Sequence, residues 1–307
     1  MSGASLALGG TGTVAGAHRF AHAAMATVFE VHCAHPDARY ARQAAEAAFD
    51  LVDRLEREQS RFVANSDVSR VNALAAGESA RVTPSTMECL EIAFRLHVLT
   101  DRAFDVSIGT GLDRLELVPD AFAVHARDGG ARLDLGGIGK GYAVDRMAEV
   151  LDEWDIRRAL VHGGFSSVLA RDAPPERDGW PLTLSAPGPA DGAILARISA
   201  RQLAFSASGT RKGGHILDPR SGHPVREGAA WVALACRGEG DADAGLPDAA
   251  RSPAAVAEGL STAFMILSLE EIEERCRRWP GLEAWLFRGP AGEGAPAALV
   301  HLGTPRA

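Results

Sequence analysis

Three short segments hold most of the residues whose chemistry suits phosphate or metal binding. The first is Leu133–Asp145 (LDLGGIGKGYAVD), in which a predicted strand leads through a glycine turn into a predicted helix that begins at Lys140. Glycines let a ligand approach the backbone, and a helix N-terminus favours phosphate. The spacing matches neither the GxGxxG fingerprint nor the P-loop. By itself this segment supports ligand binding and a plain strand-to-helix turn equally.

The second segment, Ser206–Val225, concentrates hydroxyl groups, basic groups and two histidines. His215 lies three residues before Asp218, and the run Asp218–Gly222 (DPRSG) has the composition of a type I turn. One interpretation is a histidine that faces a site, with Asp218 closing the turn. The alternative is a surface hairpin.

The third segment, Ala257–Leu267, places Glu258 and Thr262 four residues apart on a predicted helix, so both side chains share one face. A carboxylate and a hydroxyl on one face are oxygen ligands suited to Mg²⁺. A hydrogen bond between positions i and i+4 is the simpler explanation of this segment taken alone.

Hydrophobic periodicity and turn residues predict the helices and strands that position these three segments. Apolar residues at helical spacing predict a helix over Ala38–Glu58. Further helices are expected at Thr86–Thr100, Lys140–Trp154, Ala254–Leu267 and Leu269–Arg278. Strands are expected at Thr27–Cys33, Ala159–Leu169, Leu182–Ser185, Gln202–Ala207, Trp231–Cys236 and after Leu282, with a hairpin over Ala121–Leu135 that turns at Asp128–Gly130. Strands and helices do not alternate strictly, which favours the α+β class.

Composition narrows the functional classes. The 307 residues include 40 acidic and 32 basic side chains, a net charge of −8, which argues against non-specific nucleic-acid binding. No apolar run reaches about 18 residues, so no transmembrane segment is predicted. The four cysteines lack CxxC spacing and fit a reducing compartment or buried positions.

Composition and charge also predict the domain limits and the cellular location. Residues 1–18 are expected to be a flexible tail, 19–303 a single domain with a mobile insert at 237–253, and 304–307 a C-terminal tail. The uncharged stretch Met1–Gly16 lacks the positive start of a secretory signal, which favours the cytoplasm, with the periplasm as the alternative.

Six motifs, taken together and in order, resemble the ApbE family, the Mg²⁺-dependent FAD:protein FMN transferases. The resemblance runs from about Ala24 to Leu267. The motifs are Met25–Phe29 (MATVF), Ser60–Asn72, Ala103–Gly109 (AFDVSIG), Leu133–Asp145, His215–Val225 (HILDPRSGHPV) and Leu260–Ala263 (LSTA).

The resemblance implies a single T-fold-like α+β unit with an antiparallel sheet and packed helices. It implies that Mg²⁺ is held by the Gly137 carbonyl, Glu258 and Thr262. His215 and Asp218 would be the catalytic pair beside the pyrophosphate, with His215 as the base. The FAD-binding residues would be Met25, Phe62, Ala103, Phe104, Asp105, Asp134, Lys140 and Ile216.

The implied reaction is attack by a threonine hydroxyl of a target protein on the FMN-side phosphorus of FAD, with release of AMP. FAD and a target protein with an acceptor threonine are therefore the expected partners. Glu258 stands where the family has aspartate, and its extra methylene moves the carboxylate by about 1.5 Å. Two alternatives stay open: an FAD-binding protein without transfer activity, and a Mg²⁺-dependent FAD pyrophosphatase.

Overall fold

The computed structural model describes residues 6–8, 14, 16–164, 166–185, 194–210, 216–225, 228–236, 246, 248–288 and 298–303. Its main feature is an antiparallel sheet of eight strands. In spatial order from one edge to the other, the strands are Ala298–Leu302 (β14), Leu282–Arg288 (β13), Gly228–Ala235 (β12), Leu203–Gly209 (β11), Ser167–Ala170 (β8), Ala159–Gly163 (β7), Thr27–Cys33 (β3) and His18–Ala24 (β2).

Two smaller antiparallel sheets and a set of helices complete the described part of the chain. One sheet contains Leu6–Leu8 (β1), Trp180–Ser185 (β9) and Ile194–Ala200 (β10), and the other contains Ser79–Arg81 (β4), Ala123–Ala126 (β6) and Leu115–Val118 (β5). The α-helices are Ala38–Gln59 (α1), Asp67–Val71 (α2), Pro84–Leu99 (α3), Gly139–Glu153 (α4), Pro253–Phe264 (α5) and Leu269–Arg278 (α6).

The main sheet is buried on both faces. Helices α1, α4 and α5 form a layer in which α4 packs on β7 and β8 and α5 packs on β11 and β12. The alternation of β3 sends Phe29 and Val31 toward this layer, in the larger apolar core. The opposite face contributes Phe205 and Trp231 to a second core that is shared with the β9–β10 sheet.

Helices α4 and α5 are joined by backbone contacts that fix their relative position. Both carboxylate oxygens of Asp145 on α4 accept hydrogen bonds from the first turn of α5, from the Ala254 N–H at 2.9 Å and the Ala255 N–H at 2.8 Å. Gly141 on α4 passes so close to α5 that a Cβ there would lie 2.3 Å from the Ala254 carbonyl oxygen. Only glycine permits this close approach of α4 to α5.

The predicted α+β class and antiparallel sheet are confirmed, and the predicted helices fall within a few residues of the observed ones. The single strand predicted over Ala159–Leu169 is wrong, because the chain turns after Gly163 and forms two antiparallel strands, β7 and β8. The predicted hairpin turn at Asp128–Gly130 is wrong. The turn lies at Pro119–Ala121, between β5 and β6, with Phe122 in the left-handed conformation at φ 45°. No helix in the described ranges is long and apolar enough to cross a membrane.

Candidate active site

The glycine turn before α4 is held in shape by Asp134. Its Oδ1 accepts a hydrogen bond from the Gly136 N–H at 2.9 Å, which caps the 3₁₀ turn Leu135–Gly137. A Cβ on Gly137 would lie 3.4 Å from the Phe104 ring and 3.7 Å from the Thr262 hydroxyl. The turn therefore meets the end of α5 and the predicted motif around Phe104 at one place.

Lys140 and Glu258 form an ion pair at this junction. The other carboxylate oxygen of Glu258 accepts a hydrogen bond from the Gly141 N–H at 2.6 Å. The Lys140 ammonium also lies 3.3 Å from the Gly136 carbonyl oxygen. The Glu258 side chain is 5% exposed and that of Lys140 is 23% exposed, so the glutamate is buried and the lysine opens toward solvent.

Three hydroxyl groups form a hydrogen-bonded cluster at the backbone of Glu258. The Ser208 hydroxyl on β11 lies 2.8 Å from the Ser261 hydroxyl and 3.2 Å from the Thr262 hydroxyl. Both α5 hydroxyls donate to the Glu258 carbonyl oxygen, at 2.9 Å from Ser261 and 3.2 Å from Thr262. The i,i+4 hydrogen bond expected as the simpler alternative is thus present, but it uses the backbone of Glu258 and leaves its carboxylate for Lys140.

Arg61 links two of the predicted FAD-binding residues. Its Nε lies 2.7 Å from Asp134 Oδ2, and its guanidinium carbon lies 4.1 Å from the centroid of the Phe62 ring. The Phe62 side chain is 81% exposed, which is unusual for a large apolar residue. Arg61, Phe62 and Asp134 together present an aromatic and cationic surface beside the glycine turn.

The Ala103–Gly109 motif and the Asp218 turn lie against each other. Asp105 holds its own loop, since its carboxylate accepts hydrogen bonds from the Ser107 N–H at 2.7 Å and the Gly109 N–H at 3.2 Å. A Cβ on Gly109 would lie 3.4 Å from the Pro219 carbonyl oxygen. Ala103 and Phe104 are buried.

Asp218 closes the turn that the sequence predicts. Its carboxylate accepts hydrogen bonds from the Arg220 N–H at 3.0 Å and Arg220 Nε at 3.1 Å. Burial opposes ionisation of Asp218, but these hydrogen bonds outweigh it and hold the pKa of the carboxyl below its usual value. The observed contacts are those of a turn-forming aspartate, and its catalytic role stays a prediction.

The remaining predicted residues divide into three groups. Ile216 is buried and its carbonyl oxygen accepts a hydrogen bond from the Val225 N–H. Met25 lies in the β2–β3 turn at φ 49° and packs against the larger core. His215 lies outside the described residues. The structure therefore brings Gly137, Lys140, Glu258, Thr262 and Phe104 together, whereas Met25 is placed on a separate turn.

Sequence reasoning did not assign roles to Ser208 and Arg61. The signal for Ser208 was its spacing from Ser206, because alternate residues of a strand share a face and both hydroxyls reach Ser261. Arg61 had no distinguishing signal among the many arginines, since its pairing with Asp134 joins residues far apart in sequence.

Comparison with known proteins agrees with this arrangement. The fold is shared with two solved structures. The flavin transferase ApbE from Vibrio cholerae has a TM-score of 0.75 and 18% identity, and covers 93% of this chain and 97% of that one. The flavinyl transferase ApbE of Pseudomonas stutzeri, in its apo form, has a TM-score of 0.75 and 21% identity, and covers 93% and 94%.

Sequence comparison identifies the family. The model of the ApbE family matches residues 25–122 and 109–245, which is more than half of the chain, and the chain therefore belongs to the ApbE family. An FAD:protein FMN transferase of Klebsiella pneumoniae (strain 342) is 26% identical over 218 residues, covering 59% of this chain and 66% of that protein. One of Treponema pallidum (strain Nichols) is 26% identical over 289 residues, covering 78% and 76%. The prediction of an enzyme of the ApbE flavin transferase type is confirmed.

Proposed function

We propose that this chain transfers the FMN part of FAD to a threonine hydroxyl of a target protein and releases AMP. One observation carries the proposal beyond family membership: the Lys140 ammonium and the Thr262 hydroxyl lie beside the Gly136–Gly137 turn, and the Glu258 carboxylate pairs with Lys140. Phosphoryl transfer depends on positioning and on neutralising charge at the phosphates. A glycine turn, a lysine and a set of oxygen ligands are the groups that such a reaction uses.

The donor set around Glu258 fits a hard divalent cation. The Lys140 ammonium is contacted by oxygens, from the Glu258 carboxylate and the Gly136 carbonyl, in the described part of the chain. The Thr262 hydroxyl lies beside Gly137. Oxygen-only sites with a carboxylate suit Mg²⁺. We propose that Glu258, Thr262 and the Gly137 carbonyl hold Mg²⁺, which when bound supplies positive charge at the pyrophosphate.

Lys140 has a second task in this proposal. Its ammonium is paired with Glu258, and it is the more exposed partner. If Glu258 held a cation, Lys140 would lose its partner, and its flexible stem would let the ammonium contact a phosphate oxygen. Lysine suits this exchange because its charge is compact and its three donors rotate freely.

Binding of the planar rings of FAD is assigned to the surface beside the turn. The exposed Phe62 ring and the Arg61 guanidinium offer stacking and cation–π contacts to a heterocycle. Asp134 holds Arg61 in place through the 2.7 Å ion pair. Asp134 thus acts on the ligand through Arg61 as well as through its own position.

The chemical step requires a base and a leaving group. The threonine oxygen forms a bond to the FMN-side phosphorus while the bond from that phosphorus to the bridging oxygen breaks, and AMP leaves with the electron pair. The threonine proton goes to a base, for which His215 is the candidate.

The test is incubation of the full chain with FAD, Mg²⁺ and a target domain that bears a flavinylation-type threonine motif. We expect covalent flavin fluorescence on the denatured target and one AMP per flavin attached, and neither product with a threonine-to-alanine target. Glu258→Gln should abolish transfer. Glu116→Gln, which breaks the exposed Arg127–Glu116 pair at 3.1 Å, is the matched control and should leave transfer unchanged.

Three results would contradict parts of the proposal. Tight FAD binding without any product would indicate an FAD-binding protein. Free FMN and AMP in equal amounts, with an unlabelled target, would indicate an FAD pyrophosphatase. Transfer that persists undiminished in Glu258→Gln would remove the assigned metal ligand.

A further inference from the structure

A second group of ligand-type side chains lies within the main sheet, on the face opposite the helices. Phe29, Val31 and Cys33 of β3 point into the helix-side core. The alternate residues Glu30 and His32 therefore point to the other face. His162 on the neighbouring strand β7 pairs directly with Glu30 in the antiparallel ladder, which places all three side chains on one face.

These three side chains converge on a single point. His32 Nε2 lies 2.9 Å from Glu30 Oε2, and His162 Nε2 lies 3.2 Å from the same oxygen. One ligand atom from each residue can be chosen so that all lie within 4.8 Å of one another. The exposed fractions of the side chains are 3% for Glu30, 6% for His32 and 2% for His162.

Neutralisation of the Glu30 charge explains why Arg19 belongs to this group but not why the two histidines do. Arg19 on the edge strand β2 donates from Nε to Glu30 Oε2 at 2.8 Å and from Nη2 to Oε1 at 2.5 Å. One guanidinium neutralises one carboxylate, so the Arg19–Glu30 pair does not require two further imidazoles. Burying two polar rings is costly unless they gain strong interactions.

We propose that Glu30, His32 and His162 bind a divalent transition-metal ion of the zinc class, at a site separate from the oxygen-lined cleft. Two imidazole nitrogens and one carboxylate oxygen are a ligand set that zinc uses. A tetrahedral site with metal–ligand distances of about 2.0–2.1 Å separates its ligand atoms by about 3.3 Å. The two nitrogen–oxygen separations, 2.9 and 3.2 Å, are close to that value, and the ligand atoms of the two histidines lie within 4.8 Å of each other.

Arg19 provides the surroundings that such a site needs. Its side chain is 53% exposed at the sheet edge, so Arg19 is the solvent-facing member of an otherwise buried group. Arg19 donates to both carboxylate oxygens of Glu30, and Oε2 is the oxygen that also contacts both histidines. Partners of this kind orient metal-binding carboxylates. The bound ion would cross-link β3 to β7 and so fasten the β2–β3 edge of the sheet.

The test uses the full chain, stripped with a chelator and titrated with Zn²⁺ against a chromophoric competitor. We expect one tightly bound Zn²⁺ per chain and a higher melting temperature on binding. His32→Gln and His162→Gln should each weaken binding by about tenfold or more, since loss of even an outer partner costs that much. Thr262→Ala, in the oxygen-lined cleft, should leave this zinc site intact, so the outcome is independent of the proposed transferase reaction.

The matched control is His301→Gln. His301 belongs to the same sheet, on β14, and forms a comparable pair with Glu283 at 3.0 Å, but this pair is not part of a three-ligand cluster in the described residues. The His301→Gln variant should bind zinc as tightly as the unaltered chain. Absence of stoichiometric zinc binding, or equal losses in His301→Gln and His162→Gln, would overturn the proposal. If His162→Gln does not fold, Co²⁺ titration of the unaltered chain tests the site instead. Nitrogen and oxygen ligation of Co²⁺ gives visible absorption bands, and a spectrum without such bands would refute the site.

Discussion

Shortening Glu258 by one methylene tests whether its two contacts hold the cleft together. In Glu258→Asp the carboxylate retreats by about 1.5 Å, the length of one C–C bond. The contact with the Gly141 N–H, now 2.6 Å, would then stretch to about 4 Å and cease to be a hydrogen bond. Helix α5 cannot move to compensate, because Gly141 already touches the Ala254 carbonyl.

The expected cost follows from the kind of bond that is lost. A hydrogen bond to a charged group contributes about 1.5–3 kcal/mol. The carboxylate that loses it is buried, so water does not replace the missing donor. We therefore expect the free energy of unfolding of Glu258→Asp to fall by about 1.5–3 kcal/mol. At an m-value of about 3 kcal/mol per M, the urea midpoint would fall by about 0.5–1 M.

The assay is urea unfolding monitored by tryptophan fluorescence, with Glu116→Asp measured in parallel. Glu116 belongs to an exposed ion pair, so its shortening should change stability by no more than about 0.5 kcal/mol. A Glu258→Asp protein as stable as the unaltered chain would refute the argument that both carboxylate oxygens are engaged. Higher transferase activity in the same variant would instead indicate that the longer side chain limits metal binding.

Three further predictions concern single positions. Lys140→Arg should weaken FAD binding or slow turnover by the equivalent of about 1–3 kcal/mol, because a planar guanidinium cannot replace a compact ammonium between Gly136 and Glu258. FAD titration and turnover measurements check this prediction, and a fully active variant would contradict it. Gly141→Ala should destabilise the fold by about 1–3 kcal/mol through overlap with α5, whereas Gly139→Ala, with its nearest neighbour at 3.9 Å, should be neutral or stabilising in the same melts. Asp67→Asn should destabilise the chain at neutral pH by about 1.5–3 kcal/mol, because Asp67 accepts bonds from the Thr83 N–H and hydroxyl at 2.8 Å. Burial opposes ionisation of Asp67, but these bonds lower its pKa below 3.8. The stabilisation is therefore present above about pH 4 and is lost as the pH falls further. A difference in unfolding free energy between the two proteins that stays constant from pH 6 to 3 would contradict this.

Local patterns were sufficient for elements whose signal lies within one segment. The buried alanines and leucines of α1 recur at helical spacing, and the observed helix ends within a residue of the prediction. The β5–β6 hairpin shows the limit of such signals. Both Pro119–Ala121 and Asp128–Gly130 have turn composition, and the pairing of Leu117 with Val124 selects the first of them. The position of the turn is set by the register between β5 and β6, and residue composition does not reveal this register.

The candidate site was predictable only as a set of motifs. The shared helical face of Glu258 and Thr262 followed from spacing. The pairing of Glu258 with Lys140 depends on the packing of α5 against α4, which joins residues 118 positions apart. The Glu30–His162 pair likewise depends on β3 pairing with β7. A single sequence carries no direct record of such long-range contacts.

The separation of Lys140 from Glu258 has a consequence for synthesis of the protein. The lysine emerges from the ribosome 118 residues before the glutamate that neutralises it. At about 5–20 residues per second, the interval is roughly 6–24 s. During that time Gly141 has no α5 to pack against and the cleft lacks its carboxylate. A nascent chain that has made α4 but not α5 therefore cannot hold a complete cleft, and flavin chemistry begins only when nearly the whole domain has been made.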